Sequence, residues 1–120
     1  MDLTAWELLL PEGMLDYFEV VSADKNIIDY AIRLVEKNLK PGEFPGQRLT
    51  SHGFYGEVTI KDFPLRGKAC YLKVNRRRWV DEDTGEIVSR NWELVAKGTR
   101  MTQEFASFLK AVHRQQSGKL

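Results

Sequence analysis

The sequence predicts a small α+β domain, an antiparallel β-sheet with a short helix near each end of the chain. Three observations lead there. Ala69, Cys70, Tyr71, Leu72 and Val74 form a β-rich run that continues through Asn75 to Val80. Asp81-Glu82-Asp83-Thr84-Gly85 then reads as a hairpin turn, with Ile87 and Val88 returning beyond it. Finally, apolar residues recur at helical spacing close to both termini. At 120 residues, 42% hydrophobic and 29% charged, the chain fits a single domain spanning residues 1–120.

Taken in order, Leu3 to Leu10 carries Trp6, Leu8 and Leu9 and stops at Pro11-Glu12-Gly13, as a helix closed by proline and glycine does. Asp16 to Ser22 is β-rich, and Ala23 to Asn26 reads as a turn. Ile28, Tyr30, Ile32 and Leu34 alternate at period two and favour a second strand closing a hairpin. Ile27, Ala31, Leu34 and Val35 also share a helix face, which leaves a helix open for residues 27–36. Lys40 to Gln47 is dense in breakers and reads as a loop or hinge. Ser51 to Tyr55 continues as loop, Val58 and Ile60 suggest a short strand, and Asp62 to Gly67 forms a second connection. Trp92 to Ala96 fits a core segment. Thr102-Gln103-Glu104 then starts a helix that carries Phe105, Phe108, Leu109 and Val112 on one face and runs to Arg114, before a frayed tail at 115–120.

The net charge of +1 hides an asymmetry. Residues 1–60 hold 5 Lys and Arg against 10 Asp and Glu, whereas residues 61–120 hold 13 against 7. Within the basic half, Arg76-Arg77-Arg78 follows directly on the apolar strand. Three guanidiniums within about 10 Å of strand repel one another unless an anion shares them, and their planar forks suit phosphate oxygens. These residues are therefore expected to project from the core toward a polyanion. Arg90 should return beside Arg76 or Arg78 across the hairpin. Lys97 and Arg100 flank Gly98 in a cationic loop ahead of the last helix, and Lys73 could join them if it shares their face. DNA-contact candidates are thus Lys73, Arg76, Arg77, Arg78, Arg90, Lys97 and Arg100.

Other chemistry finds less support. His52, His113 and Cys70 are too far apart in sequence for a zinc motif, and Asp81, Glu82 and Asp83 read more simply as a solvated turn than as a magnesium site. Neither Cys70 nor any serine sits in a nucleophile elbow, and no cofactor is expected. Trp79 and Trp92 interleave with basic residues, and Phe54-Tyr55 follow His52-Gly53 in a loop, which suits stacking on exposed bases, but each tryptophan is better read as a core anchor. A single cysteine permits no internal disulfide and suits a reducing cytoplasm. No apolar run approaches the about 18 residues that span a bilayer, so no membrane partner is expected.

Asp62-Phe63-Pro64-Leu65-Arg66-Gly67-Lys68, the strand through Tyr71-Leu72 to Arg76-Arg77-Arg78-Trp79, and Ser89-Arg90-Asn91-Trp92 through Lys97-Gly98-Thr99-Arg100-Met101-Thr102 resemble the N-terminal region of bacterial insertion-sequence transposases of the ISAon type. Leu10-Pro11-Glu12-Gly13 and Tyr17-Phe18-Glu19-Val20 carry the same likeness. Such regions are similar in turn to zinc-ribbon transposase heads, in which an arginine-rich strand leads into a cysteine knuckle. Here Asp81 and Thr84 stand where those cysteines would lie, so the hairpin should be zinc-ribbon-like without metal and held by Trp79, Ile87 and Val88. The resemblance implies a non-catalytic DNA-binding part of a split transposase that contacts terminal inverted repeats, with strand transfer on a separate catalytic chain. The competing reading is a protein-interaction module that docks the catalytic chain, its arginines meeting acidic residues there or in the acidic front half of this chain.

Overall fold

Alternation of apolar and polar residues builds the central sheet. Ile32 and Leu34 point to one face of their strand, as do Cys70, Leu72 and Val74 of another, while Arg33, Tyr71 and Lys73 take the opposite face. The computed structural model describes residues 3–10, 13–92, 108 and 110–112. Two helices, α1 (Leu3–Leu9) and α2 (Met14–Tyr17), precede seven strands: β1 (Phe18–Lys25), β2 (Asp29–Glu36), β3 (Leu49–Phe54), β4 (Val58–Leu65), β5 (Lys68–Asn75), β6 (Arg77–Asp81) and β7 (Ile87–Val88). The first sheet has the order β1-β2-β5-β4, and the second the order β3-β6-β7. The α+β class is as expected. The pairing is mostly antiparallel, also as expected, with two added features: the strands divide between two sheets, and β2 pairs with β5 in parallel.

The division has a simple geometric origin. β4 and β5 form an antiparallel hairpin closed by Arg66-Gly67, whose φ values of 50° and 78° are the left-handed pair that a two-residue hairpin turn demands. The same two chain segments continue as β3 and β6 in the second sheet, again antiparallel. One long ribbon therefore bends at Tyr55–Glu57 on one strand and at Arg76 on the other. The Tyr55 N–H donates to the Arg76 carbonyl across the bend at 2.9 Å.

Three expectations change in detail. The β1–β2 hairpin is present, and residues 29–36 are strand rather than helix, but β1 runs on to Lys25 and the turn is made by residues 26–28. Ser51 to Tyr55 is mostly strand, because pairing with β6 outweighs the weak β-propensity of Ser51, His52 and Gly53; Gly53, at φ 74°, accommodates an irregularity in that pairing. Asp62 to Leu65 belongs to β4. Pro64 suggested a connection there, yet β4 is an edge strand, where a missing N–H is tolerated, and its register slips between Asp62 and Leu65.

The core lies on the inner face of the first sheet. Phe18, Leu34, Leu72 and Val74 pack there with Leu10, just after α1, with Met14 of α2, and with Trp92, Phe108 and Val112 from the C-terminal part. Phe18 stacks on Trp92 at 5.0 Å and meets Phe108 edge-on at 5.6 Å. Phe108 and residues 110–112 are helical, as the C-terminal spacing predicts; the rest of that helix lies outside the described residues, as do 93–96 of the expected core segment. Both tryptophans expected in the core, Trp79 and Trp92, are buried. Among the described residues no helix is long and apolar enough to cross a membrane.

Candidate functional site

The inner face of the first sheet ends in charge. Beyond Leu34 on β2 the next inward position is Glu36, and beyond Val74 on β5 it is Arg76. Leu34 and Val74 are register partners, so the pairing carries Glu36 and Arg76 to the same corner, where the ribbon bends toward the second sheet. Glu36 is 1% exposed and Arg76 is 2% exposed.

The neighbouring arginines close around this carboxylate. Glu36 Oε1 accepts the backbone N–H of Arg77 at 2.9 Å, and Oε2 accepts from Arg90 Nε at 3.3 Å. The Glu36 carbonyl accepts from Arg77 Nε at 2.8 Å, while Arg77 Nη1 donates to Ser51 Oγ at 2.7 Å. Arg90 Nη2 donates to the Leu39 carbonyl at 2.5 Å, and its guanidinium lies over Tyr17 and Trp92. Arg76 lies over the Tyr55 ring at 5.2 Å and Arg77 over Phe54 at 4.8 Å. Arg76 Nε has no hydrogen-bond partner among the described residues. Burial pushes the Glu36 carboxyl above its ordinary value, against the pull of the Arg77 N–H and of Arg90. Burial likewise lowers the Arg76 guanidinium, opposed by Tyr55 and Glu36.

The arginines were expected to project together, and the structure separates them. Arg76, Arg77 and Arg90 turn inward on Glu36, with Arg76 and Arg90 buried. Arg90 returns across the hairpin, but with Trp79 paired to Val88 and Val80 to Ile87 it comes back toward Arg77, with which it shares the Glu36 carboxylate, rather than beside Arg76 or Arg78. Alternation puts Arg78 on the other face of the second sheet, with Val80, away from Trp79 and Asp81. It is half-buried and forms no ion pair among the described residues. Lys73 lies on the outer face of the first sheet, beside Arg33 and 4.0 Å from Glu57, which also pairs with Arg33. It does not join the cluster. Lys97 and Arg100 lie outside the described residues.

The hairpin turn is held by hydrogen bonds. Asp81 Oδ1 accepts the N–H groups of Asp83 at 2.8 Å and Thr84 at 3.4 Å, and Gly85, at φ 76°, donates to the Asp81 carbonyl at 2.7 Å. Trp79 is buried and pairs with the half-buried Val88, but Ile87 is exposed and adds little support. Asp83 instead pairs with Arg48 at 2.5 Å. Among the described residues, no three His, Cys, Asp or Glu side chains are grouped to hold a metal ion.

Sequence reasoning missed Glu36 and Ser51, and it singled out Phe54 and Tyr55 without foreseeing that they seat Arg77 and Arg76. Glu36 left a signal, because it stands where the alternation Ile32, Leu34 calls for a third apolar residue. Comparison with protein-family models, curated proteins and solved structures found no match to the chain.

Proposed function

We propose that this chain is the DNA-binding, non-catalytic N-terminal region or subunit of a split insertion-sequence transposase, acting in the bacterial cytoplasm beside a separate catalytic chain. One observation carries the reading. Four arginines, Arg76, Arg77, Arg78 and Arg90, lie at or next to the sheet corner, and among the described residues one carboxylate, Glu36, is hydrogen-bonded there, to the Arg77 N–H and to Arg90. The surplus positive charge favours an anionic partner over that surface. Arg78 on the open face is the direct phosphate contact, with Lys97 and Arg100 as further contacts and the buried guanidiniums adding field from beneath. The resemblance supplies the kind of DNA, terminal inverted repeats.

The test is binding of a labelled duplex carrying the element's terminal repeat, against a scrambled duplex, across a salt series. Three phosphate contacts alone give a slope of about −2.7 in log affinity against log salt. Preference for the repeat with a slope at least that steep supports the proposal, and no binding to either duplex at low salt refutes it. A second reading, docking of the catalytic chain without DNA contact, draws on the internal acceptors that Arg77 and Arg90 already have. It predicts association with the catalytic chain that responds weakly to salt.

A further inference from the structure

The pairing of β3 with β6 is interrupted at one place. Ser51 pairs with Trp79 and Phe54 with Arg77, so His52 and Gly53 together stand opposite the single residue Arg78. Two residues against one make a β-bulge, and Gly53, at φ 74°, supplies the left-handed backbone that accommodates it. A bulge gives up ladder hydrogen bonds and re-aims the side chains beside it, and such irregularities cluster next to functional sites. This one lies beside the arginine assigned above as the direct phosphate contact.

His52 shares the face of Arg78. Ser51 accepts from Arg77 on the Trp79 face, so alternation turns His52 to the opposite face, with Thr50, Arg78 and Val80. His52 is exposed, and its imidazole has no hydrogen bond or ion pair among the described residues. A Cβ on Gly53 would meet nothing within 4 Å, so the surface beside the bulge is open. The remaining charges of this face stand at its far end. There the Glu82 N–H donates to the Arg48 carbonyl, and Arg48 bridges to Asp83. Glu82 comes four residues after Arg78. That is about 13 Å of strand, beyond the Debye length of about 8 Å at physiological salt. β7 contributes Ile87, which pairs with Val80 and carries no charge. Among the described residues of β3, β6 and β7, Arg78 and His52 therefore have no acid beside them on this face. Histidine gains its charge between about pH 8 and pH 5, so this end of the sheet becomes doubly cationic as pH falls. Neighbouring strands lie about 4.8 Å apart, which lets side chains from facing positions reach adjacent phosphates of one DNA strand.

We infer that His52 contacts the DNA phosphate next to the one held by Arg78 and makes duplex binding tighten as pH falls, an inference that rests on the DNA-binding reading above. The experiment measures binding of a repeat-bearing duplex across a salt series at about pH 5.5 and about pH 8, the range over which histidine titrates. It compares the wild-type chain with His52→Gln and His52→Lys. From the higher pH to the lower, the wild-type slope of log affinity against log salt should steepen by about 0.9, the worth of one phosphate contact. His52→Gln should keep the shallow slope at both pH values, and His52→Lys, whose charge does not titrate in this range, should show the steep slope at both. A wild-type slope that is the same at both pH values overturns the role of His52 and leaves the DNA reading standing. A pH-dependent slope that persists in His52→Gln does the same, because it assigns the effect to another group such as His113. Failure of the wild type to bind any duplex at low salt overturns this inference and the DNA reading together.

Discussion

Removing the Glu36 carboxylate should loosen the corner between the two sheets. Glu36→Ala deletes the acceptor of the Arg77 N–H, which is part-buried, and of Arg90 Nε, which is buried. Each donor left buried without a partner costs about 1–3 kcal/mol. Breaking a buried ion pair from one side costs about 3–5 kcal/mol, and the two figures agree. A chain of this length has about 6–18 kcal/mol of total stability, so the variant still folds but is much weakened. With a urea m-value of about 2 kcal/mol per M, the midpoint should fall by about 2 M. Glu36→Gln keeps one carbonyl acceptor and removes a charge that burial already disfavours, so its loss should be near 1 kcal/mol. The pH dependence separates them further. Because the folded carboxyl lies above its ordinary value of 4.5, the folded state takes up the proton more readily than the unfolded one. That contribution is full below pH 4.5 and is lost as pH rises through the folded value, a trend that Glu36→Gln should lack. Urea titrations followed by circular dichroism at several pH values measure all three quantities. A Glu36→Ala midpoint close to that of the wild type, or equal losses for Ala and Gln, would refute the reasoning.

Other outcomes follow from single features. Cys70 is buried and its thiol is pushed above its ordinary value of 9.0, chiefly by burial and then by Asp62, so a thiol reagent at pH 8 should react only after urea is added. The sign for stability follows: the protonated thiol's contribution is full below pH 9.0 and is lost as pH rises through the folded value, which alkaline urea titrations would register. Gly67→Ala places a Cβ at φ 78° in the Arg66-Gly67 turn and should cost about 1–2 kcal/mol in urea titration, even though nothing lies within 4 Å of the new atom. Leu72→Ala, in the core, should cost about 2–5 kcal/mol, whereas Ile27→Ser with Ile28→Ser should stay within about 1 kcal/mol of wild type.

The local elements were legible because local chemistry decides them. Gly85 and the acids before it marked the β6–β7 turn, Ile32 and Leu34 marked β2, and the bulk of Trp79 and Trp92 marked the core. Long-range pairing was not legible. β3 becomes a strand because β6 lies beside it, and nothing in Ser51, His52 or Gly53 alone announces this. The alternation also drew Ile28 into β2, whereas it stands in the turn. The arginine run shows the limit most clearly. Read along the chain, Arg76 to Arg78 is one block of like charge. The carboxylate that divides it lies about 40 residues upstream, and the bend at Arg76 that turns alternate guanidiniums to different faces is a property of two sheets meeting.

The division of the arginine run between fold and contact is best tested by comparing Arg77→Ala with Arg78→Ala in two assays, the urea midpoint and the salt dependence of duplex binding. Arg77→Ala, which loses bonds to the Glu36 carbonyl and to Ser51, should lower stability by about 1–3 kcal/mol and leave the salt slope unchanged in the folded protein. Arg78→Ala should leave stability within about 0.5 kcal/mol of wild type and flatten the slope by about 0.9, the loss of one phosphate contact. The reverse pattern, with Arg78 holding the fold and Arg77 setting the slope, would contradict the account.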